Sequence, residues 1–362
     1  MDRNNSLDSL RFLAALCVAV AHCLTAFSTQ PFHAQTLSMM NFSNVEGVFA
    51  RLIQLLFNAH SAVIIFFVLS GFVLTLSLQR LSSVNYGVEF FVFVIRRVYR
   101  IFPALICSLL ILGFMISYPS EKLVQNMLLM DTSINSVAWT LKVELAGCVV
   151  VFLGFAVHRL FRPGLVFLGL ALALLYFSGL ISPIYAKYLP AFFIGSLITY
   201  ARKDVVVGPY VSHVGLLLML VSDMAFGYKS DTSIIVQTIC AGILILSISR
   251  SGFMPWLNRP VLTFLGKISF SFYLMHLIGM ILTRQLCVKL GIPLGGMSMI
   301  GNAAVYAAIS VSLTIAISAI TYYLVEQPMN KVGSDTASSF RKMFLRRCWT
   351  GTSTASETQP VP

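Results

Sequence analysis

Runs of about 20 apolar residues, broken by clusters of charged or turn-forming residues, recur along the chain. A helix needs roughly that length to cross about 30 Å of hydrocarbon, and only a structure that bonds its own backbone can do so. The pattern predicts ten membrane helices, near 10–27, 58–78, 101–117, 138–157, 164–180, 188–201, 209–226, 233–249, 268–284 and 300–324. The predicted fold class is therefore all-α, a polytopic transmembrane helix bundle of about ten spans.

Composition agrees with the pattern. Apolar residues make up 57% of the 362 residues and charged residues 10%, against roughly 25% charge in soluble domains. The basic residues add an orientation. With ten alternating spans and the amino terminus in the cytoplasm, eighteen of the 25 Lys and Arg residues fall on the cytoplasmic side. Both termini are expected inside. The net charge of +12 then reflects topology, and no nucleic-acid partner is expected. Asp2 and Asp8 dilute the basic end of the first apolar run, which reads as a retained span rather than a signal peptide. Residues 1–330 form the expected membrane domain. From Lys331 the chain turns polar, so 331–362 is expected as a flexible cytoplasmic tail. The seven cysteines show no C-x-x-C and no metal spacing; they read as packing residues, with no metal site.

Against this background, charge inside a span is the informative exception. Arg11 and His22 lie on one apolar run, on one helical face about 16 Å apart. Arg11 either snorkels to headgroups or binds a ligand; His22 either makes one interhelical hydrogen bond or acts as a base. Glu144, in A138-W-T-L-K-V-E-L-A-G147, is expected at a depth similar to that of His22, as its orienting partner or as a simple ion pair. Lys142 points to another face of that helix, and Trp139 reads as an interfacial anchor. Arg97 and Arg100 share a face before Pro103 and suit either a phosphate clamp or lipid headgroups. Ser70-Gly71 allows close helix packing or a backbone approach to a long thin ligand, with packing favoured. Tyr273 and His276 share a face, with His276 read first as a satisfied core histidine. Basic groups at one end and a histidine with a carboxylate toward the other suit a donor with a phosphorylated head and a slender reactive arm, the shape of a coenzyme A thioester. The same groups also suit a transporter or flippase that passes substrate or protons.

The chain resembles the acyltransferase 3 family of integral membrane enzymes. The resemblance is carried, in order, by L7-D-S-L-R11 with His22 after ten further residues, F66-F-V-L-S-G-F72, R96-R-V-Y-R-I-F-P103, W139-T-L-K-V-E144, I268-S-F-S-F-Y-L-M-H276 and Y323-L-V-E-Q-P328. It implies a multi-pass enzyme, expected in the plasma (inner) membrane. Its activity would be O-acylation, with no bound cofactor: an acyl group, in the first instance acetyl, moves from acyl-CoA to a hydroxyl on a carbohydrate or glycolipid. Carried over residue by residue, His22 and Glu144 are the catalytic candidates, and Arg11, Arg97 and Arg100 bind the donor. Ser70, Gly71, Trp139, Thr140, Tyr273 and His276 are the supporting candidates. The long first loop, Ser28 to Asn58, is expected to shape acceptor entry.

Overall fold

The computed structural model describes residues 5–27, 45–80, 85–161, 163–202, 204–292 and 299–350. Among these there is no strand, and the fold is an all-α bundle. The first seven helices are α1 (Asn5–Phe27), α2 (Val45–Leu56), α3 (Ala59–Gln79), α4 (Tyr86–Ile116), α5 (Ser120–Met127), α6 (Trp139–Leu160) and α7 (Gly164–Ser178). They are followed by α8 (Pro183–Tyr200), α9 (Pro209–Phe226), α10 (Asp231–Arg250), α11 (Pro260–Lys267), α12 (Ser269–Lys289), α13 (Met299–Thr321) and α14 (Gln327–Thr350). Each predicted span coincides with a helix. Eight stretches of described residues are long and apolar enough to cross a membrane. The two remaining predictions correspond to α7, an apolar helix of 15 residues, and α8, which carries Lys187 and an internal Pro190.

The surface is inverted relative to a soluble protein. Phe114, Phe177 and Tyr210 are more than 80% exposed, whereas Thr75, Gln237 and Ser247 are fully buried. Lipid offers no hydrogen bonds, so polar side chains turn inward and satisfy one another. Ser212 and Ser247, for example, place their hydroxyls 2.7 Å apart across α9 and α10.

The centre of the bundle is a seam between α3 and α8. A Cβ on Gly71 would lie 2.1 Å from the Phe192 carbonyl oxygen, and one on Gly195 would lie 2.0 Å from that of Val68. Only glycine allows these two backbones to approach so closely. The close packing read from Ser70-Gly71 is therefore present.

Three expectations change. First, the third span does not start at 101: α4 is one helix of 31 residues, about 46 Å long, that runs through Pro103. Proline removes one backbone bond, which neighbouring helices in a bundle make tolerable. Its arginines consequently lie partway along the helix of the third span rather than ahead of it. Second, residues 331–350 are not a loose extension. They lie in α14, which packs along α4. Gly333 sits against Tyr99, Ala337 is buried, and Arg341 pairs with the buried Glu89 at 3.0 Å. Low overall hydropathy concealed this one-sided docking face. Third, the first loop contains α2, whose Phe49, Leu52 and Leu56 are at least half exposed while Arg51 is buried. Residues 28–44 and 351–362, and Arg3, Arg162 and Lys203 of the charge argument, lie outside the described residues.

Candidate functional site

Residues from five helices converge on a small chamber within the bundle. Arg11 of α1, Ser70 of α3, Arg97 and Arg100 of α4, Thr140 and Glu144 of α6, and Tyr273 of α12 all line it. Its volume is about 60 Å³. So narrow a space admits a slender arm or a single anionic group rather than a folded nucleotide.

Opposite charges hold the arginines. Arg97 Nη1 donates to Glu144 Oε1 at 3.1 Å, with both side chains less than a fifth exposed. Arg11 Nη1 donates to Asp8 Oδ1 at 3.3 Å, one helical turn earlier. Arg100 faces the same space, and the charge of Glu326 reaches both Arg100 and Arg11. Glu326 is 4% exposed and ends a π-helical turn, Tyr322–Glu326, between α13 and α14. Its Oε2 accepts the Ser271 hydroxyl at 2.7 Å. Single π turns recur at functional sites because the extra residue redirects a side chain. Glu326 sits in the Y323-L-V-E-Q-P328 motif, but no charge pattern in the sequence revealed its partners.

Glu144 therefore does not orient His22. The expected equal depth is not met: the chain is already buried at Val137 and Ala138 before α6 begins, so Glu144 shares the chamber with Arg11, at the other end of the site from His22, and faces α4. His22 instead faces α12, where its Nδ1 lies 2.9 Å from His276 Nε2. His276 Nδ1 lies 2.6 Å from the Tyr273 carbonyl oxygen, which can only accept, so this nitrogen carries the proton. In the neutral pair, His276 Nε2 is then an acceptor, His22 Nδ1–H donates to it, and His22 Nε2 keeps a lone pair. His276 is thus a satisfied core histidine, and its partner is His22.

The tyrosine preceding His276 on its helical face connects the two levels. Tyr273 lines the chamber, its hydroxyl lies 3.1 Å from Thr140 Oγ1 and 3.2 Å from the Val137 carbonyl, and its ring contacts His276 at 5.9 Å. Trp139 is not an interfacial anchor. It packs inside the bundle, against Phe67 at 6.2 Å and Tyr188 at 5.4 Å. Lys142 reaches the Met130 carbonyl, away from the chamber.

A larger cavity of about 240 Å³ lies at the end of the bundle toward which α1 runs. His22 lines it, as do Gln54 and Asn58 from the end of the first loop. One end of the site is therefore a chamber of ion pairs, and the other is an open cavity floored by an imidazole.

This fold and these buried charges define a polytopic membrane protein built around an internal polar site. The model of the acyltransferase 3 family, described as an acyltransferase domain, matches residues 4–323, and the chain belongs to that family. It is a membrane acyltransferase. No curated protein and no solved structure matches it.

Proposed function

We propose that the protein transfers an acetyl group from acetyl-CoA, entering from the cytoplasm, to a hydroxyl of a carbohydrate or glycolipid presented on the far side of the plasma membrane. The observation that carries this reading is the convergence of Arg11, Arg97 and Arg100 on one chamber, with His22 beyond it at the floor of a separate cavity. Guanidinium groups bind phosphate oxygens in pairs, so the arginine end suits the phosphorylated donor. The narrow chamber suits its thioester arm.

His22 Nε2 takes the proton of the acceptor hydroxyl as the oxygen attacks the thioester carbonyl. The carbon–sulfur bond then breaks, and the imidazolium returns that proton to the departing thiolate. A positioned base of this kind contributes about 10²- to 10⁴-fold. His276 fixes the tautomer and orientation of His22. Glu144 neutralises Arg97 until donor phosphate arrives. The amino-terminal end of α1 then faces the cytoplasm, in keeping with the distribution of basic residues.

The test is acetyl-CoA turnover by the purified protein in liposomes, with a glycan fraction from the envelope of the expressing cells as acceptor. Coenzyme A release with ester formed on the glycan is expected for the wild type and not for His22→Ala. Equal turnover by a folded His22→Ala protein would sink the reading.

A further inference from the structure

The open cavity holds a second imidazole that the transfer chemistry leaves unused. His60, 4% exposed at the start of α3, lines the cavity with His22. Its Nδ1 lies 3.1 and 3.2 Å from the two carboxylate oxygens of Asp223. A carboxylate only accepts, so Nδ1 carries the proton and Nε2 of the neutral ring is an acceptor, 3.2 Å from the Tyr188 hydroxyl.

Asp223 is a hub. It also receives Asn58 Nδ2 at 3.1 Å, the Ser233 hydroxyl at 2.6 Å and the Lys229 backbone N–H at 3.4 Å. The last of these bonds fixes the turn between α9 and α10. Lys229 is held there at φ 57°, a left-handed backbone that a residue with a side chain rarely adopts. The consequence is the placement of Tyr228. Tyr228 is 40% exposed and lines the cavity, and its ring meets that of His60 at 5.8 Å.

We propose that Tyr228 and the Asp223–His60 pair form the acceptor subsite, which takes a hydroxyl-bearing sugar ring; this inference rests on the acyltransferase reading above. The carbon–hydrogen face of the ring lies on Tyr228. One ring hydroxyl replaces the Tyr188 hydroxyl at His60 Nε2, and a neighbouring hydroxyl faces His22. The Lys229 ammonium, 4.9 Å from the centre of the Tyr228 ring, disfavours a cationic occupant. The mixed lining, with Asn58, His60 and Asp223 beside Leu220, is unsuited to a lipid tail alone. Most polar groups here are already bonded to one another, so the subsite is rigid before the acceptor arrives, which lowers the cost of ordering it.

The test measures KM for the envelope glycan fraction and for acetyl-CoA separately, in liposomes, for wild type, Tyr228→Ala, Tyr228→Phe, His60→Gln and His22→Ala. Tyr228→Ala is expected to raise KM for the glycan at least tenfold with KM for acetyl-CoA within twofold, and Tyr228→Phe to restore the glycan value. His60→Gln is expected to shift the same constant. Tyr228 lies on an exposed turn outside the Asp223 hub, so its variants keep the test valid even if His60→Gln fails to fold. If wild type forms ester through His22 while Tyr228→Ala keeps an unchanged KM for the glycan, the subsite is wrong and the acyltransferase reading stands. If wild type forms no ester, that reading fails and the subsite with it.

Discussion

The two ends of the site solve the problem of buried polarity differently, one with guanidinium–carboxylate pairs and the other with imidazoles and a carboxylate, Asp223, held by hydrogen bonds. The chamber pairs its charges: Arg97 with Glu144 and Arg11 with Asp8, beside Arg100. The cavity beyond it uses imidazoles fixed by hydrogen bonds, with His22 on His276 and His60 on Asp223. Ion pairs in low dielectric carry a large desolvation cost and are exchanged only for another charge. A neutral imidazole chain can take up and release a proton without moving a side chain. On the proposed reading, one end binds an anion and the other handles a proton.

That division makes the variants separable. His22→Ala has the largest expected effect, a fall in kcat of about 10²- to 10⁴-fold with acetyl-CoA affinity retained, read by turnover and by equilibrium binding. Arg97→Ala reverses the pattern: acetyl-CoA binding weakens at least tenfold, and Glu144 is left as a buried charge, which costs about 3–5 kcal/mol of stability. The double variant Arg97→Ala with Glu144→Ala should recover much of that stability in thermal unfolding. Its binding defect should remain. Recovery of both would place the arginine in a structural role alone.

A finer test concerns His276. His276→Ala is expected to lower kcat roughly 10- to 100-fold, as loss of an orienting partner does for other imidazoles, with KM for acetyl-CoA unchanged. His276→Gln should restore part of kcat, because its amide oxygen can still accept from His22 Nδ1–H. An equal loss in both variants would argue that His276 only packs. The smallest effect is expected at the seam: Gly71→Ala forces α3 and α8 apart and costs about 1–3 kcal/mol in stability. Both ends of the site should weaken together in that variant, since α3 carries a residue of each.

Much of the architecture was legible before any coordinates, because the spacing of apolar runs is imposed by bilayer thickness. Arg11, Arg97, Arg100, Ser70, Glu144 and Tyr273 stand out by type and position, Thr140 only through the family resemblance, and all seven line one chamber. Pairing was not legible. Rise per residue gives depth only where the start of a span is known, and neither the early burial of the chain before α6 nor the neighbour its face meets shows in the sequence: Glu144 lies at the level of Arg11 and pairs with Arg97 rather than His22. Asp223 and His60 stand in no motif and 163 positions apart, and their meeting depends on the start of α3 lying beside the end of α9, which no apolar pattern reveals. The docking of α14 was hidden for another reason. Its contact face is made of small residues such as Gly333 and Ala337, which add little to any hydropathy average.

The glycine seam has a consequence for selectivity. Because α3 is locked to α8 at Gly71 and Gly195, His60 and Ser70 are the two marks of a rigid gauge, about 15 Å apart along the helix. No loop adjusts that interval. A donor whose reactive carbon sits too near its phosphates would stop short of the cavity that His60 and His22 share, however well its head was held. The enzyme would thus select its donor by arm length before it selects by chemistry.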